Sequence, residues 1–165
     1  MYLIISGTNR QGSHTEKVAK EYQRLLKERN IEAKLFSLVS FDPLSRDAEF
    51  LKIENEILQP ADKIIFITPE YNGSYPGVLK SLIDNSDIQN TWYFKKALLT
   101  GVSSGRAGNL RGMDHLSDVL HYLKMNVHFN KLPISSVNKV MDTDGRLDSN
   151  TLKAINQQLD EFVLF

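Results

Sequence analysis

A run of small and polar residues, 7–15, follows the first apolar segment and precedes a segment of helical period. Thr8, Ser13 and Thr15 can donate hydroxyl hydrogen bonds, and Arg10 adds a permanent positive charge. Backbone N–H groups at a helix N-terminus attract anions, so this segment is suited to a phosphate. The same residues would equally serve as a helix cap with glycines in the turn. The endings typical of P-loops and of dinucleotide-binding loops are missing, which argues against both classes.

A second run, residues 69–77, follows the most apolar segment of the chain and contains two prolines and two glycines around aromatic and amide side chains. Prolines stiffen a loop, and glycines let its backbone donors approach a ligand closely. The composition therefore favours a flat heteroaromatic ligand. The alternative is a structural turn that carries surface tyrosines.

A third run, residues 103–109, is rich in serine and glycine and lies before another segment of helical period. By itself it would equally be a simple turn between a strand and a helix, served by Gly105 and Gly108. Taken together, one loop suited to a phosphate, one suited to a flat ring and one glycine-rich wall indicate a phosphorylated planar cofactor such as flavin mononucleotide (FMN).

Short apolar runs alternate with segments of helical period, which predicts an α/β fold with a parallel sheet covered by helices on both faces. The predicted strands are residues 2–6, 33–38, 63–68, 97–102 and 127–132. Four helical stripes contain Tyr22, Phe50, Leu116 and Leu159, one in each, and a shorter helix begins at Pro76. Because ligands of parallel sheets bind at the carboxyl ends of the strands, the three runs are expected to meet at one edge.

Length and composition narrow the class of protein. The chain has 165 residues, which predicts one domain over residues 1–165, and its formal net charge of zero argues against nucleic-acid binding. It contains no cysteine and no apolar run near the about 20 residues that span a bilayer. The first residues lack the features of a signal peptide, so we expect a cytoplasmic protein. Residues 84–94 and 135–149 are read as long polar connections.

The three runs resemble the NADPH-dependent FMN reductase family, flavodoxin-like proteins that include quinone, azo-dye and metal-ion reductases. The similarity lies in Gly7-Thr8-Asn9-Arg10, Pro69-Glu70-Tyr71-Asn72-Gly73-Ser74, Pro76-Gly77-Val78-Leu79-Lys80, Ile83-Asp84 and Gly105-Arg106-Ala107-Gly108. It implies a three-layer, doubly wound sheet of five strands in the order 2-1-3-4-5, with FMN at the carboxyl edge. It also implies a homodimer or homotetramer.

The resemblance assigns cofactor contacts to fifteen residues. Its phosphate contacts would be Thr8, Arg10, Ser13, His14 and Thr15; its ring contacts Pro69, Glu70, Tyr71, Asn72, Gly73 and Ser74; and its other wall Ser103, Ser104, Gly105 and Arg106. Three positions depart from the family pattern, namely Thr15 and Ser81, where asparagine is usual, and Asn85, where a tryptophan is common. The last two suggest that residues 84–94 are rebuilt.

The implied reaction transfers hydride from NADPH or NADH to flavin N5, after which a quinone, flavin, azo compound or similar acceptor takes the electrons. Since the cofactor supplies this chemistry, we assign no catalytic residue and give Glu70 no chemical role. We assign no metal either, because His115 and His121 would lie on different faces of one helix. The alternatives are a nonenzymatic flavodoxin-like electron carrier or redox-responsive FMN-binding protein, and a site for another phosphorylated metabolite.

Overall fold

The computed structural model describes residues 1–165 and contains one parallel sheet flanked by helices on both faces. Its strands are β1 (Tyr2–Ser6), β2 (Ala33–Ser37), β3 (Lys63–Pro69), β4 (Lys96–Val102), β5 (Asn126–Val127) and β6 (Leu132–Ile134). The order β2-β1-β3-β4-β5, with β6 also paired to β4, confirms the predicted fold class and topology. Because β1, β3 and β4 are consecutive neighbours in this order, the three polar runs leave the sheet side by side.

The helices begin where short polar side chains can accept hydrogen bonds from their first N–H groups. Ser13, Asp47, Asp87 and Asp148 cap in this way the helices that begin at His14, Ala48, Ile88 and Ser149. The helices are α1 (His14–Glu28), α2 (Ala48–Ile53), α3 (Gly77–Asn85), α4 (Ile88–Trp92), α5 (Leu110–Tyr122), α6 (Val137–Val140) and α7 (Ser149–Leu164).

The central strands are buried on both faces, as their continuous apolar runs predict. Alternate residues divide between two cores: Ile64 and Phe66 contribute to the core under α2, α3 and α5, whereas Ile65 and Ile67 contribute to the core under α1 and α7. This burial fixes β3 at the centre of the sheet, so the loop that follows β3 starts from a rigid base.

The fifth predicted strand, residues 127–132, is wrong as one continuous element. The chain leaves the sheet after β5 and returns at β6, and both pieces pair in parallel with β4. Between them, the Asn130 N–H donates to Nδ1 of His128, and the Asn130 carbonyl accepts from Nε2 of Gln158. These local and tertiary hydrogen bonds replace the ladder that the apolar pattern suggested.

The connection 84–94 is less polar than its composition indicates. It contains α4, whose Trp92 and Thr91 side chains are fully buried. Opposite them, α2 continues into a π-helical turn (Glu54–Leu58), where the buried Glu54 carboxylate accepts from Arg46 at 2.7 Å, from the Thr91 hydroxyl at 3.2 Å and from the Asp87 N–H. This buried carboxylate therefore ties α2 to α4.

Candidate cofactor-binding cleft

The three polar runs converge on one cleft at the carboxyl edge of the sheet, with a cavity volume of about 530 Å³. All but three of the predicted site residues line it; the exceptions are Thr8, Ser74 and Arg106. The lining residues are Arg10, Gln11, Ser13, His14, Thr15, Pro69, Glu70, Tyr71, Asn72, Gly73, Val102, Ser103, Ser104, Gly105 and Val137. Three of the lining residues were not assigned to the site from the sequence, namely Gln11, Val102 and Val137.

The beginning of α1 forms one end of the cleft. Ser13 caps this helix, because its hydroxyl accepts from the Glu16 N–H at 3.2 Å, and Ser13 also lines the cleft. Ser13 therefore serves as a helix cap, and it still lies where it could contact a ligand. The N–H groups of Ser13, His14 and Thr15 donate to no atom of the chain. Unpaired donors at the positive end of a helix make this end of the cleft suited to an anion.

The loop after β3 is a tight hairpin turn. The Tyr71 N–H donates to the Ser74 carbonyl at 2.8 Å, and the Ser74 N–H donates back to the Tyr71 carbonyl at 3.1 Å. Asn72 and Gly73, at the tip, have φ values of 52° and 77°. Asn-Gly in this conformation is typical of a type I′ turn, which few other dipeptides adopt without strain. The turn holds two unpaired N–H groups, those of Asn72 and Gly73, at the cleft.

Tyr71 joins this turn to the loop after β1. Its hydroxyl lies 2.6 Å from Oγ1 of Thr8, which is fully buried and also accepts from the Arg10 N–H at 3.2 Å. The Arg10 guanidinium lies over the Tyr71 ring, 4.2 Å from its centroid. Thr8 is therefore placed beneath the cleft, where it positions the two residues that line it.

The third wall of the cleft is formed by the residues that follow β4 and β6. Oγ of Ser103 accepts from the Gly108 N–H and donates to the Gly105 carbonyl, both at 3.0 Å. The Val137 N–H donates to the Ser103 carbonyl at 2.9 Å, which brings the start of α6 into the cleft. Val137 lies far along the chain and carries no polar group, so no sequence signal marked it. Arg106 lies outside this wall and is exposed.

Asn109 is a further residue that the sequence interpretation did not assign to the site. It is fully buried, and its Nδ2 donates at 3.0 Å to the carbonyls of Thr68 and Pro69, where β3 ends. Its φ of 64° lies in the left-handed region that asparagine tolerates better than most residues. Asn109 thus fixes the end of β3 against the start of α5.

Charge is distributed unevenly around the cleft. Of the seven arginines, Arg24, Arg29, Arg46 and Arg146 form salt bridges. The other three, Arg10, Arg106 and Arg111, form none, and all three follow β1 or β4 at the carboxyl edge of the sheet. Close to the same edge, burial and the Asp84 carboxylate raise the pKa of the Tyr75 phenol to about 12.

Comparison with known proteins identifies the family to which the chain belongs. A family model of NADPH-dependent FMN reductases matches residues 2–139. The chain belongs to this family. A curated relative, the NAD(P)H-dependent FMN reductase PA1204 of Pseudomonas aeruginosa, is 36% identical over 114 residues, which are 67% of this chain and 62% of that protein. The resemblance predicted from the three loops is therefore confirmed.

Two further family comparisons extend over nearly the whole chain. A quinone reductase of Pseudomonas putida is 25% identical over 169 aligned positions, covering 96% of this chain and 90% of that protein. The structure of FerB, a flavoenzyme NAD(P)H:(acceptor) oxidoreductase from Paracoccus denitrificans, superposes with a TM-score of 0.82 at 26% identity, covering 98% of this chain and 93% of that one. None of the helices is long and apolar enough to cross a membrane.

Proposed function

We propose that this chain is an FMN-dependent NAD(P)H oxidoreductase that passes electrons to a quinone, azo compound, flavin or similar small acceptor. The observation that carries the proposal is the convergence of an anion-binding helix start and a stiff, donor-bearing turn on one cleft. Family membership and the printed activities of its relatives support the same assignment.

The residues present fit FMN in charge and in shape. The phosphate would be held by the free N–H groups of Ser13, His14 and Thr15 and by the guanidinium of Arg10. The cavity volume of about 530 Å³ lies within the range of small-molecule sites, about 300–1,000 Å³. The ring would lie between the Asn72-Gly73 turn and the wall that Ser103 to Gly105 form.

When bound, FMN supplies the two-electron chemistry, accepting hydride from a nicotinamide and passing electrons on. The chain binds and orients the reactants and holds donors where negative charge develops. The N–H groups of Asn72, Gly73, Ser104 and Gly105 donate to no atom of the chain and are the preorganised donors for that charge. No acid–base pair is required, in keeping with our assignment of no catalytic residue.

The decisive experiment is spectroscopic. Purified protein is saturated with FMN, freed of excess ligand and mixed anaerobically with NADPH or NADH. We expect a bound-flavin spectrum near 1:1 stoichiometry that is bleached by nicotinamide and restored by a quinone. A stable flavin spectrum that neither nicotinamide bleaches would support the electron-carrier alternative, and failure to retain FMN would support the metabolite alternative. Either result would overturn the proposal.

A further inference from the structure

Glu70 is a carboxylate in the cleft that has no partner within the chain. Its side chain is partly buried and lines the cavity, yet it forms no hydrogen bond and no salt bridge. Of the residues that line the cleft, it is the only one with a carboxylate. Partial burial of an unpaired charge costs solvation and gains no contact in return. The stability of the fold therefore gives no reason for a carboxylate at this position.

The backbone places Glu70 in the part of the cleft that is suited to a flat ring. Its N–H donates to the Val102 carbonyl at 3.3 Å, so Glu70 lies between the ends of β3 and β4. The Asn72-Gly73 turn follows Glu70 along the chain, and the third wall begins with Ser103, next to Val102. These are the two surfaces between which the ring would lie. Glu70 is therefore at the base of the ring end of the cleft.

The cations near the cleft are not paired with Glu70. Arg10 and His14 line the cavity, but they belong to the end that is suited to the phosphate. Arg111 lies on the outer side of the turn, where a methyl group placed on Gly73 would be 3.1 Å from one of its terminal nitrogens. It does not line the cavity, and neither arginine forms a salt bridge. The charge at the ring end of the cavity is therefore that of the Glu70 carboxylate.

We propose that Glu70 lowers the reduction potential of bound FMN and so makes the reduced enzyme a stronger electron donor to its acceptor. The inference rests on the proposed function. Hydride from a nicotinamide brings two electrons and one proton to the ring, which thereby gains one negative charge. The free N–H groups of the Asn72-Gly73 turn favour that charge, whereas a carboxylate in the same partly desolvated cleft opposes it. Glu70 itself transfers neither a proton nor hydride.

The first test measures the midpoint potential of the FMN-loaded protein by anaerobic titration against a reference dye, which needs no nicotinamide. The titration is made at about pH 8, so that the added charge is not neutralised by a proton. Glu70→Gln removes the charge at nearly constant volume and should favour reduction about tenfold, which is about +30 mV for two electrons. Glu70→Asp keeps the charge and should stay close to the unchanged protein. Glu32→Gln, the matched control, removes an exposed carboxylate from a separate groove and should have no effect.

A second test separates the effect of charge from a change in the shape of the cleft. The shift in potential must equal the change in the ratio of the dissociation constants of oxidised and reduced FMN, because binding and reduction form a closed thermodynamic cycle. Anaerobic titration calorimetry with each form of FMN should show that Glu70→Gln tightens the binding of reduced FMN about tenfold relative to oxidised FMN. A distorted cleft would weaken the binding of both forms alike and would leave the potential unchanged.

The outcomes distinguish the role of Glu70 from the proposed function. An unchanged potential in Glu70→Gln, or an equal shift in Glu70→Asp or in Glu32→Gln, would overturn the role of Glu70 even if nicotinamides bleach the flavin. If the potential shifts as expected but neither nicotinamide bleaches the flavin, the proposed function fails and the role of Glu70 stands. Failure of the protein to retain FMN would overturn both.

Discussion

Arg10 illustrates how one side chain can serve two contacts in this cleft. Its guanidinium stacks on the Tyr71 ring at 4.2 Å through its flat face, which leaves the N–H groups at its edge free to bind an anion. No carboxylate competes for them, because Arg10 forms no salt bridge. Stacking therefore orients the guanidinium while its charge remains available to the phosphate.

Arg10→Ala should weaken the binding of FMN more than that of riboflavin, which lacks the phosphate. A hydrogen bond to a charged group contributes about 1.5 to 3 kcal/mol, so the loss for FMN should be about tenfold or more. Fluorescence quenching of each flavin measures the dissociation constants, with Arg24→Ala as the control for loss of an arginine elsewhere. Equal losses for FMN and riboflavin would contradict the phosphate assignment.

At the scale of elements, Asn109 links the end of β3 to the start of α5. Asn109→Gly should lower the free energy of unfolding by about 1 to 3 kcal/mol, because the carbonyls of Thr68 and Pro69 lose the hydrogen bonds that the Asn109 amide donates. Glycine adopts the φ of 64° without strain, so the substitution isolates the side-chain hydrogen bonds.

Urea unfolding of the unchanged protein, of Asn109→Gly and of a control variant, Asn30→Gly, measures this difference. Asn30→Gly is the matched control, since Asn30 has a φ of 58° but is exposed and forms no side-chain hydrogen bond. It should change the free energy of unfolding by no more than a few tenths of a kcal/mol. An equal effect of the two substitutions would mean that the backbone conformation, and not the side chain of Asn109, is responsible.

Helices and strands whose positions depend on residues close together in the sequence could be predicted from it. The continuous apolar runs of β1, β3 and β4 placed these strands nearly residue by residue, and Ser13 marked the start of α1. The interruption between β5 and β6 depends on Gln158, a distant residue of α7. The burial of Glu54 depends likewise on Arg46 and α4. Such contacts are made only after the chain has folded, so no local pattern indicates them.

The same distinction applies to the cleft. Loops that leave adjacent parallel strands must meet, so most of the predicted residues line one cavity. The sequence did not reveal that Thr8 is buried under Tyr71 or that Asn109 holds the end of β3. Asn85, one departure from the family pattern, donates to the carbonyls of Pro43 and Ser81 and closes α3. The subunit contact that the resemblance implies stays a prediction.

At the scale of the whole molecule, the total formal charge is zero, but the charged residues fall into a paired and an unpaired group. Carboxylates and cations are paired around the helices, as in the contacts of Arg24 with Glu21 and Glu28, whereas the arginines at the carboxyl edge are left unpaired. Arginines left unpaired at that edge can attract an anionic ligand although the total formal charge is zero.

The opposite end of the sheet contains a buried titratable group, His128, whose pKa lies below its ordinary value of 6.5 because burial disfavours the charged ring. Glu161 and a backbone hydrogen bond with Asn130 partly offset this effect, and the nearby Lys63 lowers the pKa further. His128 is 1% exposed, and its ring lies 4.4 Å from that of Phe129 and 4.9 Å from that of Phe165, centroid to centroid.

This environment predicts that the protein loses stability as the pH falls below about 6.5. In that range the unfolded chain binds a proton at His128 that the folded chain does not, so protonation favours unfolding. The carboxyls of Asp87 and Asp148, whose pKa values are lowered by hydrogen bonds, titrate at lower pH, so the window from pH 7 to 5 tests His128. Urea unfolding across this window measures the effect.

The matched variants are His128→Gln and His121→Gln. Glutamine at position 128 can still accept from the Asn130 N–H but does not titrate, so the decline in the free energy of unfolding between pH 7 and 5 should become smaller. His121 is exposed on α5, and its replacement should leave the slope unchanged. An unaltered slope in His128→Gln would locate the pH dependence elsewhere. A reduced slope would show that the aromatic cluster around His128 requires the neutral ring.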